Sequence, residues 1–176
     1  MSDSERAKRS KAVEVGKHIG TLHLREDAGS PYELRIDSEG RWFHGGVEIV
    51  RQDILQLFSR NLRRSKGGAY YVRLGRDEAP VVVDDVPFVV VRLEEDASGK
   101  LGLLLSDGVK ERLKIKTLTF SRDNIPFCSV RGNLEAKFSR QAYYQLAAHI
   151  EYDEQSETYY VRSGGERRKL EIPIRK

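Results

Sequence analysis

Arginine is the residue type in this sequence best suited to hold an anion, and two arginines stand at matching places. Arg51 and Arg140 each lie at the start of a segment with the apolar spacing of a helix. A guanidinium there faces the positive end of the helix dipole, so it needs a nearby carboxylate or a bound anion. We predict that these two arginines and Arg131 either pair with acids or contact a phosphate. The acids that could pair with them are Glu135 and Asp85.

Aromatic residues could supply a stacking face for a base. The candidates are Trp42, Phe43 and Phe88, and core packing is the competing interpretation. His44 follows two of these aromatics in the chain and is a candidate ligand contact. The alternative interpretation is that His44 lies at the edge of a strand.

The residue patterns of common enzymes and metal sites do not occur in the sequence. It contains no CxxC, HExxH, Walker or GxSxG pattern. Asp84 and Asp85 could share a proton in acid–base chemistry, but adjacent acids at a strand end more often point to opposite faces. Cys128 follows Phe127 in an apolar strand, which favours a buried, inert thiol. The sequence therefore leans away from an enzyme, and it predicts no metal site and no cofactor.

Composition indicates a water-soluble chain with a basic excess. The 176 residues are 39% hydrophobic and 33% charged, with a net charge of +4. Basic residues cluster in residues 1–28, which we interpret as a disordered tail. The single cysteine, the first residues without a signal-peptide pattern and the lack of any apolar run of about 20 residues predict a cytoplasmic protein without a membrane span.

Hydrophobic periodicity predicts strands and two helices. Leu34 and Ile36 alternate with polar residues, as in a half-buried strand. Apolar stripes predict helices at 51–63 and 139–150, the second with Ser139 as its N-cap. The apolar run at 89–91 indicates a strand covered on both faces. Further strands are predicted at 41–44, Tyr70–Leu74, 81–84, 88–93, Leu101–Leu105, 113–115, 118–120, 158–162 and 169–174.

The two helix regions resemble each other at a constant offset of 89 residues. Positions 51–75 and 140–164 share nine identities in 25 places without a gap, among them the Tyr-Tyr-Val-Arg strands that begin at Tyr70 and Tyr159. Unrelated segments of this length would share about one or two identities. Only two copies occur at this long period, which favours a duplication over a repeat array.

We therefore predict an α+β fold made of a duplicated unit, each unit holding one helix and an antiparallel sheet. Residues 29–95 would form the first unit, 96–125 a set of divergent middle strands, and 126–176 the second unit. The groove between the units is then the expected binding cleft, because pockets favour domain interfaces.

A set of short motifs in fixed order resembles one bacterial family, called domain of unknown function 1285. The motifs are Gly40-Arg41-Trp42-Phe43-His44-Gly45, Leu57-Phe58-Ser59 after Arg51, Val83-Asp84-Asp85-Val86-Pro87-Phe88, Pro126-Phe127, Val130-Arg131, Leu134-Glu135-Ala136 and Tyr143-Tyr144 after Arg140. The resemblance runs from about Tyr32 to the C-terminus. It implies a duplicated α+β protein whose second half superficially resembles a pleckstrin-homology fold. It also implies a nucleotide-like ligand between the halves and a role in signalling, and no catalytic activity is established for the family.

The leading hypothesis is a ligand-binding or signalling module with a nucleotide-like ligand between the repeats. Its candidate ligand-binding residues are Arg51, Arg131, Arg140, Trp42, His44, Asp85, Phe88 and Glu135. The alternative is a protein–protein interaction module that uses exposed sheet edges or the basic tail. Nucleic-acid binding through the basic tail is the less favoured third interpretation.

Overall fold

The protein is described by a computed structural model that covers residues 33–173. This part of the chain is mostly β, with fifteen strands and two α-helices. It forms two compact units, with the boundary between Asp84 and Asp85. The predicted tail at residues 1–28 lies outside the described residues.

The first unit is a six-stranded sheet with one helix. Its elements are β1 (Leu34–Ile36), β2 (Trp42–His44), β3 (Val47–Glu48), α1 (Gln52–Asn61), β4 (Leu62–Arg64), β5 (Tyr70–Leu74) and β6 (Asp77–Val83). The strand order is β3-β2-β1-β6-β5-β4. The β1–β6 pair is parallel, with Leu34 opposite Val81, and all the other pairs are antiparallel. A strand from before the helix, β1, and a strand from after it, β6, therefore lie side by side in the middle of one sheet.

The core of the first unit lies where α1 meets the sheet. The helix buries Leu55, Phe58 and Ser59, and the Ser59 hydroxyl donates to the Leu55 carbonyl at 2.7 Å. The rings of Trp42 and Phe58 pack with centroids 5.9 Å apart. The apolar stripe predicted for this helix is therefore the face that forms the core.

The second unit contains a six-stranded sheet, one helix and a separate three-stranded sheet. Its elements are β7 (Phe88–Glu95), β8 (Leu101–Leu105), β9 (Lys110–Arg112), one 3-10 turn (Ile115–Thr117), β10 (Thr119–Phe120), β11 (Pro126–Val130), β12 (Leu134–Phe138), α2 (Arg140–Ala147), β13 (Ile150–Asp153), β14 (Thr158–Ser163) and β15 (Glu166–Leu170). The larger sheet has the order β10-β11-β12-β7-β8-β9, with β12 and β7 parallel. The smaller sheet has the order β13-β14-β15 and is antiparallel.

Helix α2 is attached to β7 where that strand is irregular. The register between β7 and β8 shifts between Val90 and Arg92, so that Val91 is left out of the pairing, as at a β-bulge. The side chain of Gln145 accepts a hydrogen bond from the Leu93 amide at 2.8 Å. Ser139 accepts from the Ala142 amide at 3.2 Å, so the predicted N-cap is confirmed.

The three-stranded sheet is held to the rest of the second unit at two places. In its β14–β15 turn, the Gly164 amide donates to the Gly99 carbonyl at 2.7 Å, and the Ser163 hydroxyl accepts from the Leu101 amide at 3.0 Å. Arg168 of β15 donates to the carbonyls at the two ends of the 3-10 turn, those of Ile115 and Leu118. These bonds satisfy backbone groups that would otherwise be left without partners.

The predicted fold class is wrong. The structure is mostly β with three sheets and does not consist of a duplicated helix-plus-sheet α+β unit. In the first unit the strands after the helix belong to a six-stranded sheet, whereas in the second they form a sheet of their own. The second unit combines two sheets with a helix between them in the chain, which also departs from the pleckstrin-homology-like half that the resemblance implied. Residues 96–125 supply β8, β9, the 3-10 turn and β10 of the second unit.

Several element boundaries also differ from the prediction. The strands Tyr70–Leu74 and Leu101–Leu105 are confirmed. Of the run 89–91, predicted to be covered on both faces, Val89 and Val90 are buried and Val91 is partly buried. The first helix ends at Asn61, because Leu62 is buried and pairs with Val72 in a strand. The second ends at Ala147. The strand predicted at 113–115 is wrong, because the chain bends there into the 3-10 turn and places Leu113 and Ile115 in the core.

Candidate functional site

Arg51 and Arg140 take different environments although they match in sequence. Arg51 is the N-cap residue of α1 and forms a bidentate ion pair with Asp53, with nitrogen–oxygen distances of 3.1 and 2.6 Å. Asp53 therefore supplies the negative charge that the helix start requires. Arg140 lies over the ring of Tyr144 at 5.9 Å, and no ion pair joins it to a carboxylate of the described chain. Arg51 thus carries its own counterion, while Arg140 has a cation–π contact.

Arg131 is the centre of a buried charge cluster in the second unit. Its guanidinium pairs with Asp107, and its Nε donates to Glu111 at 3.2 Å. The backbone amide of Arg131 donates to the same Glu111 carboxylate at 3.1 Å. Arg131 is only 12% exposed and Asp107 1%. The cluster is therefore one cation held by two carboxylates away from water.

The position of Arg131 in the chain explains how it reaches this cluster. It occupies the turn between β11 and β12 with a positive φ of 48°, an uncommon conformation that is kept where surrounding structure holds it. Asp107 lies in the β8–β9 turn and also accepts from the Val109 amide at 3.1 Å. The ion pair therefore links two turns that are 24 residues apart in the chain.

Phe88 closes the remaining side of the Arg131 guanidinium. The guanidinium carbon lies 5.0 Å from the Phe88 ring centroid, within the range of a cation–π contact. The Arg131 Nη1 atom is buried without a hydrogen-bond partner. Arg131 is thus enclosed by two carboxylates and an aromatic ring.

The aromatic residues proposed to stack a base are core residues. Trp42 is 1% exposed and Phe88 0%, so neither offers a free ring face. Phe43 is half-buried, and the guanidinium of Arg41 lies 5.8 Å from its ring. His44 is exposed at the end of β2, opposite Val47 of the edge strand β3. For Trp42 and Phe88 the competing interpretation, core packing, is confirmed.

The two neighbouring carboxylates do not act as a pair. Asp84 binds Arg35 through two bonds of 2.8 Å each, and Asp85 binds Lys137 at 2.5 Å. Glu135 is exposed in β12 and has an interaction partner of its own. Each acid of the Asp84–Asp85 pair is therefore neutralised by a different cation, which removes the basis for a shared proton.

The thiol of Cys128 is buried, as predicted. Burial raises its pKa to about 12, and the nearby Glu111 carboxylate adds to this effect. A thiol with so high a pKa is almost entirely protonated at neutral pH, so it is a weak nucleophile.

Residues 33–173 contain no group of three or more His, Cys, Asp or Glu side chains that could hold a metal ion. None of the helices described here is long and apolar enough to cross a membrane.

An exposed aromatic surface on the three-stranded sheet was not predicted from the sequence. Tyr152 and Tyr159 lie directly opposite each other on β13 and β14, with ring centroids 5.0 Å apart. They are 53% and 43% exposed. Arg167 lies over the ring of Tyr160 at 3.5 Å. The only sequence signal was the density of tyrosine in these strands, which also fits strand propensity.

Of the eight predicted site residues, Arg131 and Phe88 are in direct contact. Trp42, His44 and Arg51 belong to the first unit and the others to the second. The partners of Arg131, which are Asp107 and Glu111, were not predicted, because no local pattern connects a turn aspartate with an arginine so far along the chain.

Comparisons with known proteins give one consistent result. Residues 26–86 match the N-terminal domain of the family described as domain of unknown function DUF1285, and residues 87–170 match the C-terminal domain of the protein of unknown function DUF1285. No curated protein matches the chain.

Two crystal structures of DUF1285 family proteins are similar to this fold. The protein from Silicibacter pomeroyi DSS-3 shares 20% identity with a TM-score of 0.66, over 92% of this chain and 93% of that one. The protein from Shewanella baltica OS155 shares 21% identity with a TM-score of 0.58, over 69% of this chain and 94% of that one. At these identities the likeness concerns the fold alone. The two family matches together cover most of the sequence, and the chain therefore belongs to the DUF1285 family.

Proposed function

We propose that this protein is a protein-binding module whose contact surface is the three-stranded sheet of the second unit. The observation that carries the proposal is the exposed pair of Tyr152 and Tyr159 on β13 and β14. A cross-strand aromatic pair contributes only about 0.2–1 kcal/mol to its sheet, and rings exposed to this degree are also available to a partner. Tyrosine and arginine are the residue types most enriched among residues that dominate binding energy at protein interfaces.

Charged pairs occupy the opposite face of the same sheet, because side chains alternate between the two faces along each strand. Arg162 pairs with Glu151 at 2.7 Å, and Arg167 pairs with Asp153 at 3.0 Å. Exposed pairs of this kind contribute little to stability, about 0–1 kcal/mol each. Because the charged face is already paired internally, the face that carries Tyr152 and Tyr159 is the one that we propose contacts a partner.

The electrostatic balance supports a protein partner over a nucleic acid. Residues 33–173 carry almost equal numbers of basic and acidic side chains, and many of the arginines are already paired with carboxylates. Binding to a phosphate backbone needs several uncommitted cations on one face. The one cysteine of the chain suits a reducing compartment, and we place the module in the cytoplasm.

A nucleotide-like ligand with a signalling role is the second candidate, and Arg140 is the observation that favours it. Arg140 has no carboxylate partner in the described residues and lies beside the exposed ring of Tyr144. One cation and one ring could hold a phosphate and a base. The other predicted contacts give less support, because Arg131 is enclosed and Trp42 and Phe88 are buried.

The test of the protein-binding proposal is site-specific cross-linking. A photoreactive phenylalanine analogue at position 159 should give a discrete cross-linked partner in cells. Substitution Tyr152→Ser in the same chain should reduce the yield strongly, because it removes the other half of the surface. The matched control is Tyr144→Ser, which changes an exposed tyrosine on α2. A yield that is the same in both variants would overturn the proposal.

The two candidates are separated by thermal shift with nucleotides. A ligand at one hundred times its Kd adds about 2.7 kcal/mol to the free energy of unfolding. For a chain of this length that raises Tm by roughly 5–10 °C. A shift that disappears in Arg140→Ala would favour the nucleotide candidate.

A further inference from the structure

We propose that the open edge of β9 binds an extended acidic segment of a partner protein by strand addition. This surface does not depend on the tyrosine pair of the proposed function. β9 is the last strand of the six-stranded sheet, and among the described residues no strand pairs with its far side. The strand carries a basic residue at every second position, and this row continues into the segment that follows. The row consists of Lys110, Arg112, Lys114 and Lys116.

The hydrogen bonds to β8 show which backbone groups face outward. The Val109 carbonyl accepts from the Leu105 amide at 3.0 Å, and the Leu113 amide donates to the Leu101 carbonyl at 2.8 Å. In an antiparallel strand, alternate residues direct both backbone groups to the same neighbour. The odd-numbered residues of β9 therefore bond to β8, and Lys110 and Arg112 present their amide and carbonyl groups to the open edge.

The basic side chains form a regularly spaced row. Alternate residues of an extended strand lie about 6.6–6.8 Å apart, a spacing that applies to Lys110, Arg112 and Lys114. Lys116 follows in the 3-10 turn, and all four basic residues are exposed. Lys110 pairs with Glu94 at 2.8 Å and Arg112 with Asp96 at 3.7 Å. Lys114 and Lys116 have no carboxylate partner in the described part of the chain. A bound strand with Asp or Glu at alternate positions would match this spacing and charge.

The row is held firmly by the residues between its members. Leu113 and Ile115 are each only 4% exposed, and Arg168 donates to the Ile115 carbonyl. Lys114 itself is extended, with φ −88° and ψ 92°. A surface that is already in its binding conformation loses little entropy on association.

Basic residues on an edge strand also have a protective role, because they discourage two copies of the edge from pairing with each other. The same charges favour a partner of opposite sign, so protection and selectivity come from one feature. An acidic peptide suits this edge better than a nucleic acid does, because the edge offers backbone donors and acceptors in strand register.

The test uses synthetic peptides of about eight residues, labelled with a fluorophore, with Glu at alternate positions and Thr or Val between them. Fluorescence polarisation should show binding that weakens as ionic strength increases. The variant Lys114→Glu/Lys116→Glu should bind about tenfold more weakly. The control Lys66→Glu/Arg76→Glu reverses two exposed cations of the first unit and should bind as the unaltered protein does. Absence of binding, or equal loss in both variants, would overturn the proposal.

A second measurement separates strand addition from simple charge attraction without altering the protein. Two versions of the peptide carry N-methyl groups on alternate residues, one on the odd and one on the even positions. A paired strand uses the amides of one set only, so one version should bind and the other should lose most of its affinity. Equal binding of both versions, or binding of a peptide with Lys in place of Glu, would show that β9 does not act as a pairing edge.

Discussion

Two segments of this chain have similar sequences and the same local structure but enter different sheets. In the first unit, α1 is followed by β4, β5 and β6, and in the second, α2 is followed by β13, β14 and β15. Strands β6 and β15 begin at Asp77 and Glu166, the same offset of 89 residues that relates the Tyr-Tyr-Val-Arg strands. β6 goes on to pair in parallel with β1, whereas within residues 33–173 β15 pairs with β14 alone. Similar sequence therefore gave similar elements, and a distant strand decided which sheet they joined.

The turns that follow the Tyr-Tyr-Val-Arg strands differ in the same way. Gly75 and Gly164 both have positive φ, 67° and 56°. Nothing lies within 4 Å of the position that a Cβ would take at Gly75, while at Gly164 the Lys100 side chain and Gly99 are close. The first turn is free of neighbours, and the second is a docking point for the three-stranded sheet.

The largest expected difference between the units concerns their arginines. Asp107→Ala combined with Glu111→Ala leaves Arg131 charged, largely buried and without a carboxylate, and we expect the free energy of unfolding to fall by about 3–5 kcal/mol. Asp53→Ala breaks the exposed pair with Arg51 and should cost less than about 1 kcal/mol. Urea denaturation of both variants measures the difference. Equal costs would contradict the assignment of Arg131 to a buried ion pair.

Matching leucines on the two helices give the next comparison. Leu146 is fully buried, whereas Leu57, its counterpart, is only half-buried. Leu146→Ala should destabilise the protein by about 2–5 kcal/mol, because it leaves a cavity in a packed core. We expect Leu57→Ala to cost clearly less, since its site can be filled by solvent. Thermal denaturation followed by circular dichroism measures both, and the reverse order would contradict the burial of α2 described here.

Substitution of the two turn glycines should have a smaller effect. Both Gly75→Ala and Gly164→Ala place a side chain in the left-handed region, at a cost of about 1–2 kcal/mol. At Gly164 the new Cβ would also overlap the Lys100 side chain, so this variant should be the less stable of the two. The difference between the urea midpoints of the two variants measures how much the contact around Gly164 contributes to stability. Equal midpoints would show that the second turn does not hold the three-stranded sheet in place.

The smallest effect at neutral pH concerns Cys128. Its pKa is raised to about 12 in the folded protein, so the unfolded chain loses the thiol proton at lower pH than the folded one. The contribution of this thiol to stability is constant below the usual thiol pKa and decreases as pH increases towards 12. A Cys128→Ala variant should lack this decrease, which urea denaturation at several alkaline pH values measures. The thiol of the folded protein should also react slowly with alkylating reagents at pH 8.

The structure explains which predictions the sequence supported. Local signals worked well, because the alternation in Tyr70–Leu74 and the hydroxyl of Ser139 act within a few residues. The fold class failed, since one helix followed by strands is compatible with more than one sheet. The family resemblance rested on many short motifs in order and was confirmed.

The candidate site was less predictable for a related reason. Trp42 and Phe88 have residue types that suit both a ligand face and a core, and only burial distinguishes the two roles. The positions of Tyr152 and Tyr159 gave no sign that a pair of rings would remain exposed. Glu111, which binds Arg131, lies in the stretch where the predicted strands were displaced from the observed ones.

The sequence by itself determined the two helices up to their ends, strands such as Tyr70–Leu74 and Leu101–Leu105, how α2 is capped, and which family the chain belongs to. The tertiary structure alone decided that β6 joins a six-stranded sheet while β15 does not, and that Arg131 is enclosed by Asp107, Glu111 and Phe88. The physical reason is the distance along the chain over which each kind of interaction acts. Propensity, periodicity and capping act over a few neighbouring residues, whereas strand pairing and burial depend on groups brought together from distant parts of the chain.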